Sequence, residues 1–130
     1  MIIGSHCVGL DYLIGEMQKH GVSCKFLAVG SMGGVFAAQR GECDLAGIHL
    51  LDENAGEYNR HLLTPELHLQ KGYRRSQGLL FRKDDSNFTD FKSDFENAIQ
   101  QLINNPEVRM INRNRGSGTR ILLDHLLTDQ

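Results

Sequence analysis

Apolar positions change their spacing along the chain, and each change marks an element. Ile2 and Ile3 open a short apolar stretch that stops at Gly4-Ser5. Leu10, Leu13, Ile14 and Met17 then recur at i, i+3, i+4 and i+7, the period of a helix with one buried face, and Gly21 supplies its end. Residues 25–29 read as a strand that stops at Gly30-Ser31. A second helix is expected over 33–40, ended by Gly41, and a third short strand over 44–48. Strand, helix, strand, helix, strand at this spacing is the rhythm of a parallel sheet, and it puts the chain in the α/β class.

Past residue 50 the pattern loosens. Residues 52–59 are polar and turn-like, and 62–69 fit a helix or an extended chain equally well. Residues 79–81 read as a strand. Phe88, Phe91, Phe95, Ala98, Ile99, Leu102 and Ile103 then hold helical spacing up to Asn104-Asn105-Pro106, with the phenylalanines expected in the core. Residues 108–111 are strand-like, and Leu122, Leu123, Leu126 and Leu127 mark a final helix. No linker rich in Pro, Gly or Ser, no low-complexity tract and no long-period repeat interrupts the chain.

Size and charge narrow the picture. A chain of 130 residues holds one core or two small lobes, and it is too short for a TIM barrel. A net charge of −2 argues against direct nucleic-acid binding through a basic surface. No apolar run approaches the ~20 residues of a membrane span. The first residues lack the basic and long apolar regions of a signal peptide. Cys7, Cys24 and Cys43 form no CxxC pair and read as free thiols of a reducing compartment. The expectation is a soluble, cytoplasmic protein with no membrane partner.

Gly-Ser occurs three times, as Gly4-Ser5, Gly30-Ser31 and Gly116-Ser117. Each pair follows an apolar or strand-like run and precedes an expected helix. Glycine permits the tight turn, and serine is a common N-cap. Three ordinary caps are one reading. The other is an anion site: helix N-termini carry unpaired N–H groups and about half a positive charge, and in a parallel sheet they gather at the carboxyl edge. Three such termini with three serine hydroxyls would form a pocket of donors for a small anion.

Familiar catalytic and nucleotide motifs are missing. Gly30-Ser31-Met32-Gly33-Gly34 lacks the Gly-Lys-Ser/Thr ending of a P-loop, and Ile121 stands where the third glycine of GxGxxG belongs. There is no GxSxG elbow. His6, His20, His49, His61, His68 and His125 show no zinc-site spacing, and no nucleophile–base pair is evident. The sequence therefore points to a binding protein with no catalytic residues, no metal ligands and no cofactor.

Longer runs carry a resemblance. Gly4-Ser5-His6 with Leu10-Asp11, Val29-Gly30-Ser31-Met32-Gly33-Gly34 and residues 40–52 resemble the start of a PBP-like (type 2 periplasmic binding protein-like) domain. Gly56-Glu57-Tyr58-Asn59, Arg75-Ser76-Gln77-Gly78-Leu79 and residues 112–120 continue the resemblance over nearly the whole chain. Such domains occur beside molybdopterin-biosynthesis proteins or helix-turn-helix segments and are described as molybdate- or substrate-binding. The resemblance implies two α/β lobes with the ligand in the cleft: residues 1–72 as lobe one, 73–81 as a crossover strand and 82–130 as part of lobe two. The family domain normally continues past the Arg-Gly-Ser-Gly-Thr-Arg motif. The chain is thus expected to be truncated at its C-terminus, with a missing segment or a second copy completing the fold.

Candidate ligand residues follow from both lines. Ser5, Ser31 and Ser117 come first and Thr119 next. Tyr58 is a hydroxyl donor in the manner of a tyrosine in some molybdate-binding relatives, and Gln77 lies where the crossover would pass the cleft. Among Arg113, Arg115 and Arg120, Arg115 is the candidate anion partner; the bland role of all three is surface charge or pairing with Asp52 or Glu57. The expected ligand is a tetrahedral oxyanion, molybdate or tungstate. Two alternatives stay open: an effector-sensing domain of a transcription regulator that binds a small organic anion, and an accessory domain in molybdenum-cofactor synthesis.

Overall fold

A computed structural model describes residues 1–91 and 94–128. Residues 92 and 93, inside the helix expected over 88–103, and 129 and 130, at the end of the expected second lobe, lie outside the described residues.

The N-terminal part is built on one short strand, β1 (Ile2–Gly4), whose three residues are all buried. It pairs in parallel with β2 (Phe26–Ala28), Ile2 opposite Phe26 and Gly4 opposite Ala28. Its other edge meets residues 44–47. The Ile3 amide donates to the Leu45 carbonyl at 3.1 Å and the Ser5 amide to Gly47 at 2.8 Å. The strand expected over 44–48 is reduced to a parallel bridge between Ile2 and Leu45. Three chain passes nevertheless run side by side in one direction, with β1 in the middle.

Helices α1 (Val8–Lys19) and α2 (Gly30–Gln39) connect these passes. Helix α2 lies on β1 at backbone distance because Gly34 has no side chain. A Cβ there would stand 2.7 Å from the Cα of Gly4 and 2.8 Å from the Ile3 carbonyl oxygen. Helix α2 starts earlier than its apolar period implies, which puts Ser31 inside its first turn. The core of this layer is Ile2, Ile3, Leu10, Val35, Ala37 and Leu50.

The polar stretch at 52–59 is the turn of a hairpin between β3 (Leu51–Asp52) and β4 (Glu57–Tyr58). Asn59, at φ 69°, closes it: its side chain accepts from the Leu50 amide at 2.8 Å, and its own amide donates to the Leu50 carbonyl at 2.8 Å. A 3-10 turn over Arg60–Leu62 follows.

The second half departs further from expectation. Residues 73–81, the expected crossover strand, contain no strand, nor do 108–111. The apolar residues 79–81 and 108–111 have no paired neighbour, and β-propensity expresses itself only where a neighbouring strand is present. The helix expected over 88–103 is interrupted. Phe88 and Phe91 belong to a bend ending in a 3-10 turn (Thr89–Phe91), and α3 (Phe95–Asn104) begins after Asp94, whose carboxylate accepts from the Asn97 amide. That N-cap is worth about 1 kcal/mol. The final helix, α4 (Gly118–Thr128), rests against α2, α3 and β3. The stretch assigned to a second lobe therefore packs directly on elements of the first. Among the described residues, no helix is long and apolar enough to cross a membrane.

Candidate functional site

Parallel strands deliver their ends to one edge, and here that edge carries the polar residues. Gly4 leads to Ser5, Ala28 to Val29-Gly30, and the 44–47 pass to His49. Helices α1 and α2 start at the same edge. The loop 113–117 and the start of α4 close over it, held by the Met32 amide, which donates to the Gly116 carbonyl at 3.2 Å. Between them lies a cavity of about 300 Å³ lined by Ser5, His6, Ala28, Val29, Gly30, Arg113, Asn114 and Ser117. A second hollow of similar size lies near Arg60 and Lys71, at the start of the short 3-10 turn and away from the α-helix starts.

The serines do not act as ordinary caps on the first two helices. Cys7 and Val29 hold the N-cap positions of α1 and α2, and neither makes a side-chain cap bond. Ser117 precedes α4, and its carbonyl accepts from the Ile121 amide at 3.1 Å. It is buried, and among the described residues its hydroxyl has no protein partner. Ser5 and Ser117 thus both reach the cavity. Ser31 does not line it: fully buried, it lies one layer below, its Oγ accepting from the His49 amide at 3.3 Å.

The other sequence candidates are spread out. Thr119 is in the first turn of α4, Tyr58 is half-exposed in β4, and Gln77 and Arg115 are exposed; none lines the cavity. Arg113 lines it in place of Arg115. Arg120 pairs with Asp124 at 2.6 Å and also donates to the Arg113 carbonyl, which steadies that loop. Neither Asp52 nor Glu57 pairs with these arginines; Glu57 lies 3.8 Å from Arg60, and Asp52 is beside His61.

His49 is the residue that sequence reasoning missed. Its Nε2 is 3.1 Å from the Ser5 hydroxyl, while its Nδ1 is buried without a partner among the described residues. Burial, followed by the positive charges of Arg75 and Arg113, pushes its pKa down to about 4. The signal was available: if 44–48 ends at the carboxyl edge beside β1, the next residue must stand beside Ser5. Gly118 makes this seat possible, since a Cβ there would lie 2.0 Å from the His49 carbonyl oxygen and 2.5 Å from Nδ1.

The start of α1 carries a second polar group. The Cys7 thiol contacts the Tyr73 hydroxyl, and the Tyr73 ring lies where a Gly9 side chain would be. Burial raises the Cys7 pKa, but the Tyr73 hydroxyl, the Leu10 amide and Arg75 together bring it below the ordinary thiol value. Burial and the Cys7 contact push Tyr73 up to about 12. Among the described residues, no group of three or more His, Cys, Asp or Glu side chains could hold a metal ion.

A family model described as a PBP superfamily domain matches residues 14–130. The chain belongs to the PBP superfamily. It is also 32% identical, over 103 residues covering 75% of its length, to "Uncharacterized protein YvgK" of Bacillus subtilis (strain 168). The matched stretch spans 31% of that relative, so the chain corresponds to about a third of it. No solved structure matches the chain. PBP-superfamily domains are generally binding domains, and a ligand-binding role agrees with a cavity that gathers polar side chains at helix starts.

Proposed function

We propose that this PBP-superfamily chain is a non-enzymatic binding domain for a small, fully deprotonated tetrahedral oxyanion, molybdate or tungstate. The observation that carries the reading is the lining itself. Ser5, Ser117 and Arg113 meet where helices begin, and no carboxylate is among the lining residues. Molybdate has no proton near neutrality and can be satisfied by donors alone, whereas hydrogen phosphate needs an acceptor for its own proton. Helix N-termini favour the negative charge, and each charge-assisted bond contributes roughly 1.5–3 kcal/mol. In this reading residues 1–72 and 82–130 are the two sides of the family cleft, and a further segment or second copy completes it.

The volume of the cavity, about 300 Å³, favours one other reading. It is at the lower end of the range for organic ligands, and the planar fork of Arg113 suits a carboxylate. An effector-sensing domain for a small organic anion is that alternative, and an accessory role in molybdenum-cofactor synthesis fits the oxyanion equally well.

Calorimetric titration with molybdate, tungstate, sulfate and phosphate, alongside the mass in solution, tests the proposal. The expected result is binding of molybdate or tungstate in preference to phosphate. Ser117→Ala and Arg113→Ala should each weaken it by about tenfold or more, the size of one charge-assisted bond. Equal affinity for phosphate, or binding unaffected by both substitutions, would overturn the oxyanion reading. Binding of a small carboxylate alone would move the assignment to the organic anion.

A further inference from the structure

His49 touches two of the three serines that the sequence singles out, yet it does not line the cavity. Its backbone amide can only donate, so Ser31 Oγ receives a hydrogen bond from it. The direction of the side-chain contact to Ser5 depends on which ring nitrogen carries the proton.

The surroundings of the ring decide this. Nδ1 is enclosed and, among the described residues, has no hydrogen-bond partner. It lies against Gly118, the first residue of α4, closely enough that a Cβ there would overlap it. A proton on Nδ1 would therefore be a buried N–H without a partner, aimed at the positive end of a helix. Both features are unfavourable. A bare Nδ1 presents its lone pair to that positive end. The proton then resides on Nε2 and is donated to Ser5 Oγ, 3.1 Å away. The positive charges of Arg75 and Arg113 further oppose a second proton.

A hydroxyl that accepts from below directs its own proton elsewhere, and Ser5 lines the cavity. We propose that His49 is a positioning residue, fixed as the Nε2–H tautomer, that turns the Ser5 hydroxyl proton away from the ring and into the cavity and so favours anions that accept over those that must donate. The selectivity part rests on the oxyanion reading above; the tautomer does not. Aligned donors in a chain also strengthen one another, so the relay from His49 through Ser5 makes Ser5 a better donor than an isolated serine.

Two measurements separate these parts. Long-range proton–nitrogen correlation spectra of the uniformly labelled, anion-free chain report the tautomer directly. The Nε2–H pattern for His49, kept from pH 8 to pH 5, is expected; an Nδ1–H pattern or an imidazolium at neutral pH would overturn the proposal whatever the chain binds. The second measurement is the molybdate-to-phosphate affinity ratio in variants. His49→Leu, which lets the Ser5 hydroxyl accept, should lower that ratio by about tenfold, and adding Ser5→Ala to it should change little further. His49→Gln, which restores a donor near the position of Nε2, should recover most of the loss. Effects of His49→Leu and Ser5→Ala that simply add would overturn the relay. A chain showing the Nε2–H pattern but binding no anion would sink the oxyanion reading while supporting the tautomer assignment.

Discussion

The cavity has two walls of different construction. Residues 44–50 end at the cavity edge after an apolar run, and so do residues 108–113. In the first, the Leu45 and Gly47 carbonyls accept the amides of Ile3 and Ser5, Leu50 is fully buried, and Asn59 clamps Leu50 through side chain and backbone. In the second, Ile111 is 98% exposed and Met110 41%, and no strand forms. That arm is held where the Met32 amide meets the Gly116 carbonyl and where Arg120 meets the Arg113 carbonyl. One wall is set by burial and backbone pairing and fixes the direction of the hydroxyls. The other brings a charge, Arg113, on a run whose apolar side chains Met110 and Ile111 are exposed. A binding site can thus divide geometry and charge between a rigid side and a lightly attached one.

This division is open to test. Leu50→Ala should have the largest effect, a loss of about 2–5 kcal/mol in urea unfolding, because it hollows the rigid wall at a fully buried position. A loss below 1 kcal/mol would mean that this wall is not the firm one. Gly118→Ala comes next. Its Cβ must displace α4 from His49, and over-packing of this kind costs about 1–3 kcal/mol. Chemical-shift changes at His49 and Ser5 should accompany that loss; unperturbed signals there would show that α4 does not press on the ring.

The acid response sharpens the contrast. The folded pKa of His49 is depressed from 6.5 to about 4, so between those values the unfolded chain binds a proton that the folded chain does not. Stability should therefore be complete above pH 6.5 and fall as the pH drops towards 4, and His49→Gln should flatten that decline. A decline unchanged in the variant would assign the acid sensitivity to other groups. The smallest effect belongs to Ile111→Ser, which should shift stability by no more than about 0.5 kcal/mol in either direction. A larger loss would show that the arm is buried in solution.

Much of the rigid wall was legible in the sequence. Local periods marked β1, α1, β2 and α2, and the place of Gly-Ser before a helix pointed to Ser5 on this wall and Ser117 on the other, though also to Ser31, which lies beneath the cavity. Three things were not. A short apolar run does not announce whether it has a neighbour, so 79–81 and 108–111 read as strands although they are unpaired. A hydrophobic stripe outlasts its helix when a capping side chain intervenes, as Asp94 does between Phe91 and Phe95. Arginines two residues apart look alike in a sequence, and it is Arg113 rather than Arg115 that meets the cavity.

Ser5 and Ser117 stand near opposite ends of the sequence and meet across one small cavity. Any ligand that bridges them acts as a reversible staple on the longest loop in the chain. Its binding free energy adds to the stability of the closed form through RT ln(1 + [L]/Kd), and closing so long a loop is what the bare chain does least readily. The ligand concentration therefore sets how firmly the α4 end is fastened to the sheet, and the fastening of that end becomes a readout of the ligand.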